Sequence, residues 1–384
     1  MKAAVKAVVA ISTLVLSSTW SVRVFAQGNI HIPDSTIERL EDIGKRSHTN
    51  HLIILNKVGP DNGSGIGGTM TPGDLRNFYN LPSTGGAGII AIVDAYHYPT
   101  AVADFNSFSS TYGLPTENGS GNVLQVVFEG GTQPAYNSGW SQEAALDIEW
   151  AHAMAPGAKI LLVEAQDNSF AHLFAAVDLA TSLGAKQVSM SWSSSEFSGE
   201  TGFDSHFQSA NTVYLSSSGD SGGSIQYPSS SKWVIAVGGT SCATNTSHQL
   251  TSETGWSGSG GGTSKYETKP SYQNGVAGTP SGFRGCPDIS ADADPNTGVH
   301  VIWQGGDYQF GGTSVSCPCI AGMLNLSAVN RPGGSFAELT AIYANRSYGV
   351  NLRDIISGRA GRFRCGSGWD FVTGLGSPFG LGDF

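Results

Sequence analysis

The chain has 384 residues, of which 39% are hydrophobic and only 13% charged, with 52 glycines and a net charge of −10. That length and apolar fraction support a sizeable core in one large domain or two modest ones, and the sparse charge argues against a disordered chain. An acidic chain whose basic residues form no block beyond "GKRSH" at 44–48 is a poor nucleic-acid ligand.

Taken in chain order, the first 26 residues have the layout of a secretory leader. Lys2 and Lys6 precede the apolar stretch "AVVAISTLVLSS" (7–18), and "VFA" (24–26) supplies a small-residue cleavage site. The apolar run is too short to span a bilayer and no later one is long enough, so an exported protein without a membrane anchor is expected. Residues 27–70 are polar and broken by Gly and Asn. From "TMTPGDLRNFYNLP" (69–82) onward, short apolar runs alternate with helical stretches. The runs are "GIIAIVD" (88–94), "VLQVVF" (123–128), "KILLVEA" (159–165), "QVSMSW" (187–192), "TVYLSSS" (212–218) and "WVIAVGG" (233–239), with helices near 99–111, 141–154, 170–183 and 202–210. Continuous β-branched runs separated by helices predict an α/β fold, a parallel sheet flanked by helices on both faces. Functional residues of such sheets collect beyond the carboxyl ends of the strands.

Five cysteines, Cys242, Cys286, Cys317, Cys319 and Cys365, are odd in number and lack metal-site spacing. Cys317 and Cys319 sit two apart on a predicted helix and point different ways. Cys242–Cys286 is a candidate bridge, but the preferred reading of most of these residues is as buried small hydrophobes.

The segment "FGGTSVSCPCIAG" begins at Phe310 and carries Ser314 on a Gly-Gly-Thr-Ser turn entering a small-residue helix, a setting for a serine nucleophile. A serine hydroxyl needs a base. Nine histidines are present, but His31, His48 and His51 fall in the polar N-terminal stretch and His152 lies at a helix end, where it favours the helix dipole. His97, in a strand-to-helix loop, remains a candidate. Carboxylates offer more. On the helix "SQEAALDIEWAHAMAPGA" (141–158), with Ser141 as its expected N-cap, Glu143 and Asp147 stand at i and i+4 on one face. Most acidic pairs at this spacing are solvated helix faces. Here no Lys or Arg stands at helical spacing and the rest of the helix is largely apolar, so the two carboxyls would titrate as a coupled pair suited to acid–base work. Asp220, in "YLSSSGDSGG" (214–223), leaves a strand into a Gly-flanked loop; alone it reads as an ordinary turn Asp.

Together, "GGTSVSCP" with Ser314, "EAALD" with Glu143 and Asp147, and "SSGDSGG" with Asp220 resemble the signatures of the sedolisins, the serine-carboxyl peptidases, in the same order along the chain. The resemblance continues through "TPGDLRNFYNLP", "IIAIVDAY", "VSMSW", "SGSGGGTS" and "GWDFVTGLGSP", covering about residues 70–380. It implies a subtilisin-like fold and a secreted endopeptidase acting on protein and peptide substrates. Ser314 would attack the scissile carbonyl, Glu143 would take its proton, Asp147 would orient Glu143, and a protonated Asp220 would donate to the oxyanion beside the Ser314 N–H. Carboxylates with reference pKa values near 4 imply an acidic optimum. Asp94 and Trp192 correspond to an outer hydrogen-bonding shell seen in some members, and Ser193 replaces the family's Gly after that Trp. The resemblance also implies one structural Ca²⁺ in "RDIISGRAGRFRCGSGWDFVTG" (353–374), held by Asp354, Asp370 and the carbonyls of Ile355, Gly366 and Gly368. Residues 27–70 then stand as a short propeptide or N-terminal extension, and 71–384 as the peptidase domain with its calcium loop, expected to act as a monomer. Two alternatives remain: a catalytically inactive secreted binding protein on the same fold, and a His-dependent subtilisin-like hydrolase or esterase, which needs His97 or His152 beside Ser314.

Overall fold

The computed structural model describes residues 30–54, 69–245, 249–329, 331–382 and 384; the expected leader lies outside them. The N-terminal arm forms three short strands, β1 (Ile30–His31), β2 (His48–Thr49) and β3 (Leu52–Ile54). Helix α1 (Pro72–Phe78) opens the body. Its start is a capping box: Asp74 N–H donates to Thr71 Oγ1 and Thr71 N–H to Asp74 Oδ2, with Pro72 at the first helical position.

An alternating series follows: β4 (Ile89–Ala95), α2 (Ala101–Tyr112), β5 (Leu124–Phe128), α3 (Ser138–Met154), β6 (Lys159–Ala165), α4 (Phe170–Ser182), β7 (Gln187–Met190), β8 (Trp192–Ser195), β9 (Val213–Ser217), β10 (Gln226–Tyr227), β11 (Ile235–Thr244), β12 (Leu250–Gly255) and β13 (Gly262–Thr268). Then come β14 (Phe283–Cys286), β15 (Ile289–Asp292), β16 (Val299–Trp303), β17 (Gly306–Gly311), α5 (Thr313–Leu326) and α6 (Gly334–Asn345). The central sheet runs β12-β11-β9-β7-β4-β6-β5, with β15 also on β11, and every pair except β11–β12 is parallel.

Burial on both faces explains the unbroken apolar runs. In β4, Ile90 and Ile92 join the cluster under α2, α3 and α5, whereas Ala91 and Val93 join the opposite cluster under α4. The fold is the expected α/β, subtilisin-like parallel sheet with helices on both faces.

Three expectations shift in detail. Helix α3 starts at Ser138, not Ser141, because the Asn137 side chain caps it by accepting from Trp140 N–H, 3.1 Å away. Ser141 instead accepts from the Trp303 indole. The run 187–192 splits at Ser191, and β8 leaves the sheet to pair with β2 and β10. The helix expected near 202–210 is a 3₁₀ segment, Glu200–Phe207.

All five cysteines are free, so the candidate Cys242–Cys286 bridge does not form. Cys317 and Cys319 are fully buried on α5, a helix that packs closely on α3: a Cβ on Gly322 would lie 2.5 Å from that of Met154. Gly322 is what such an approach admits, while Cys317 fills the opposite side of the helix, against Ser189 and Met190 of β7. Burial pushes both thiols up, so they stay protonated fillers beside the serine.

Candidate active site

Helix α5 starts directly after β17, and Gly312 makes the corner at φ +104°. No side chain fits there: a Cβ would lie 2.3 Å from the Asn50 carbonyl oxygen and 2.5 Å from Asp220 Oδ2. The turn leaves Ser314 at the N-terminus of α5, fully buried, with Oγ donating to the Ser191 carbonyl at 3.3 Å. Its backbone N–H, one of the donors a helix start leaves unpaired, points at the Asn50 carbonyl at 3.1 Å.

Asp220 stands on the loop that leaves the carboxyl end of β9. Its Oδ1 accepts from Thr313 N–H and Thr313 Oγ1, each at 2.8 Å. The residue is partly exposed, yet Oδ2 is sealed from solvent and has no partner. Burial pushes this carboxyl up to about 8 against the pull of the two Thr313 bonds, with Glu143 adding repulsion. Below that pH the carboxyl is protonated, and its Oδ2 lies on the same side of Gly312 as the Asn50 carbonyl oxygen that Ser314 N–H holds.

Glu143 and Asp147 project from one face of α3 and are both fully buried. Glu143 Oε2 accepts from Asn50 N–H at 3.1 Å and bonds His51 Nδ1 at 2.9 Å, while Oε1 is buried without a partner. Asp147 Oδ1 accepts from Ser191 Oγ at 2.9 Å, and its Oδ2 is likewise bare. Burial, then repulsion from Asp94 and Glu143, pushes Asp147 well above the usual carboxylate range. Asp94, at the end of β4, is raised by burial and by Glu143, and neither of its oxygens is paired. Trp192 donates to the Val93 carbonyl, not to Asp94. Ser314 and Glu143 thus meet at one residue, Asn50, the first at its carbonyl and the second at its N–H, with Asp220 Oδ2 on the same side of Gly312 as that carbonyl and Asp147 a helical turn behind Glu143.

The histidines of the alternative hydrolase lie elsewhere. His97 bonds Glu164 at 2.7 Å. His152 bonds the Pro115 carbonyl, and burial lowers it to about 4, so it caps no helix as a cation. The residue that sequence reasoning missed is His51, set aside with the polar arm. Its ring lies against Phe310 and bonds Glu143 with both side chains fully buried. The signal available was "LIIL" (52–55), a short apolar run inside an otherwise polar stretch.

Asp354 and Asp370 flank the 366–368 loop. Asp354 accepts from Gly368 N–H and Ser367 Oγ, and Asp370 from Gly366, Val372 and Thr373 N–H. Among the described residues no Lys or Arg pairs with either carboxylate, and a Cβ on Gly366 or Gly368 would meet open space. No cluster of three or more His, Cys, Asp or Glu suited to a metal occurs among those residues. A site here would rest on two carboxylates and backbone carbonyls, a hard-oxygen set that suits Ca²⁺.

A parallel sheet covered on both faces, with a buried serine at the head of a helix beyond its carboxyl edge, defines a subtilisin-like serine hydrolase architecture. Residues 141–368 match the Subtilase family (Peptidase_S8), and the chain belongs to that family, in its sedolisin branch. It is 38% identical over 169 residues to sedolisin of Pseudomonas sp. (strain 101), covering 40% of this chain and 29% of that protein. Against kumamolisin of Bacillus sp. (strain MN-32) it is 29% identical over 361 residues, 81% of this chain and 62% of the relative. The chain therefore spans less than two thirds of either relative's length. The structure of Pseudomonas sedolisin, a serine-carboxyl proteinase complexed with pseudo-iodotyrostatin, superposes with a TM-score of 0.70 at 28% identity, covering 81% of this chain and 95% of that one.

Proposed function

We propose that the chain is a serine-carboxyl endopeptidase that hydrolyses peptide bonds through an acyl-enzyme on Ser314 and works best in acid. The observation that carries this reading is the peptide carbonyl of Asn50 accepting from Ser314 N–H, with the bare Oδ2 of Asp220 on the same side of the Gly312 corner. That is where two donors for a developing oxyanion belong. An ionised Asp220 would repel the oxyanion, so its raised pKa supplies the neutral form the role requires.

Glu143 is the base. It takes the Ser314 proton as Oγ attacks and returns it to the leaving amine. Asp147, fixed by Ser191 Oγ and buried a helical turn from Glu143, would tune that base through the repulsion between the two carboxyls. The similarity to sedolisin and kumamolisin supports protein and peptide substrates. The leader-like first 26 residues support export, and no helix among the described residues is long and apolar enough to cross a membrane. Asp354, Asp370 and the carbonyls of Ile355, Gly366 and Gly368 would hold one Ca²⁺, which when bound cross-links the C-terminal loop.

The test is a peptidase assay on denatured protein at about pH 3–5, where free carboxyls are half-titrated. Wild type is compared with Ser314→Ala and Glu143→Ala. Ser314→Ala should lose at least about 10⁴-fold in kcat, and Glu143→Ala about 10²–10⁴-fold. Equal activity in all three, or a neutral optimum with an active Glu143→Ala, overturns the assignment; no activity in wild type favours an inactive binding protein.

A further inference from the structure

The N-terminal arm crosses the site as an extended strand held on both sides of one peptide bond. Ahead of that bond, β2 pairs antiparallel with β8, with His48 opposite Ser193 and Thr49 opposite Trp192, and Asn50 N–H donates to the Ser191 carbonyl at 3.2 Å. Beyond it, β3 pairs antiparallel with β17, with Leu52 opposite Gly311. Between the two lies Asn50–His51, its carbonyl at Ser314 N–H and its N-terminal amide at Glu143.

The Asn50 side chain fills a closed polar pocket. Its Nδ2 donates to Ser193 Oγ at 2.9 Å and to Ser217 Oγ at 2.8 Å, and Oδ1 lies 3.1 Å from Ser193 Oγ. Ser193 is in turn tied to Gln226 Oε1. Asn50, Ser193, Ser217 and Gln226 are all buried, at 3% exposure or less. Both amide hydrogens of the carboxamide therefore find hydroxyl acceptors in a buried pocket. Ser193, which stands where the family resemblance expects Gly, supplies half of that recognition.

We propose that this pocket selects a carboxamide side chain on the acyl side of the scissile bond, and that Asn50–His51 is the first bond the enzyme cuts, in its own chain. The inference rests on the peptidase reading above. Ser314 Oγ forms an ester with the Asn50 carbonyl carbon as the C–N bond to His51 breaks. The serine proton passes through Glu143 to the His51 amine. Water then hydrolyses the ester, giving a free Asn50 carboxyl and restoring Ser314. An apolar residue of the same shape would leave the Ser193 and Ser217 hydroxyls short of partners, which is how a hydrogen-bonding pocket rejects an analogue lacking the group. The arm is suited to leave after the cut: Ile32, Ile37 and Leu40 are more than half exposed, so residues 30–50 bury little apolar surface on the body.

Two measurements on the full chain decide this. Wild type and Ser314→Ala are incubated at about pH 4, within the carboxylate range, and new N-termini are read by mass spectrometry. A chain starting at His51 should appear in wild type only. The processed enzyme is then assayed on peptides that differ only at the residue before the cut. Asn should exceed Leu by about 100-fold or more in kcat/KM, and Ser217→Ala should shrink that ratio about 10-fold. Peptide cleavage with a flat or apolar preference, or an N-terminus other than His51, overturns the inference and leaves the peptidase reading standing. No cleavage of any peptide overturns both.

Discussion

Two carboxylates, Glu117 and Asp220, sit on Gly-rich loops and are shifted in opposite directions. Glu117 accepts from Gly121 and Val123 N–H at 2.9 Å and from Leu124 N–H at 3.2 Å. Burial alone would raise it, but these donors outweigh burial and hold it down at about 2. Asp220 has donors on one oxygen only, and burial pushes it up to about 8. The backbone replaces water around the first group and withholds it from the second. A carboxylate saturated with N–H donors keeps its charge and fixes a turn; one left half-bare keeps a proton that it can lend to a substrate.

The largest effect of this contrast follows from that bare oxygen. Asp220→Ala removes the donor and should lower kcat about 10²–10³-fold with KM little changed. Asp220→Asn offers a sharper comparison. Its amide oxygen can accept from Thr313 as Oδ1 does, and its NH₂ takes the place of the protonated Oδ2. It should retain activity within about tenfold of wild type. Its activity should also persist as pH rises past about 8, where wild-type Asp220 loses its proton. An Asn variant as dead as the Ala variant would mean that the carboxyl acts as something other than a neutral donor.

The same contrast fixes how stability responds to pH. A carboxyl raised in the folded state binds its proton more tightly there, so its contribution is full below about pH 4 and is lost as pH rises toward the folded value. Asp220 and Glu200, both near 8, and Glu267, near 7, act in this direction, with Asp94, Asp147 and Asp292 raised by burial alongside them. The buried imidazoles oppose them: His152, lowered to about 4, costs stability as pH falls from 6.5. Raised carboxyls outnumber lowered imidazoles, so the melting temperature should fall between about pH 4.5 and 8. Glu117 works the other way, its contribution lost only as pH drops from about 4.5 toward 2. Glu117→Gln turns an NH₂ toward backbone donors and should cost about 1–3 kcal/mol in denaturant unfolding with no change in kcat. A flat melting profile from pH 4.5 to 8 would mean that the raised groups ionise in the fold with little penalty.

Legibility in the sequence followed the physics of each region. Strands buried on both faces wrote themselves as unbroken apolar runs, and β4 to β7, β9 and β11 were readable within a few residues. The edge strand β12, "LTSETG", pairs antiparallel and faces solvent on part of its surface, so no apolar run announced it. Ser314, Glu143, Asp147 and Asp220 were legible through motifs and order. Their common meeting point was not, because it is a segment of the arm, and a strand that binds by backbone pairing leaves little trace in side-chain pattern. Asn50 and His51 read as polar tail until the fold placed them in the cleft. The two cysteines after the nucleophile became intelligible only through burial in the fold, with Cys317 set against Ser189 of β7, a tertiary contact between segments far apart in sequence.

The Asp354–Asp370 loop stands between the two extremes and makes the finest test of the comparison. Asp370 takes N–H donors on both oxygens, as Glu117 does, yet burial still raises it, and no cation among the described residues pairs with it. A group in that condition gains from a metal: Ca²⁺ favours the charged form that burial penalises. Calcium present at about 100 times its Kd should stabilise the fold by about 2.7 kcal/mol, readable as a lower melting temperature after chelation. Asp354→Asn should remove most of that metal-dependent increment while leaving the metal-free unfolding free energy within about 1 kcal/mol, since the amide oxygen can still accept from Gly368 N–H. If chelation leaves the wild-type melting temperature unchanged, the N–H donors alone suffice for this loop, and Asp370 belongs with Glu117 as a carboxylate that only shapes a turn.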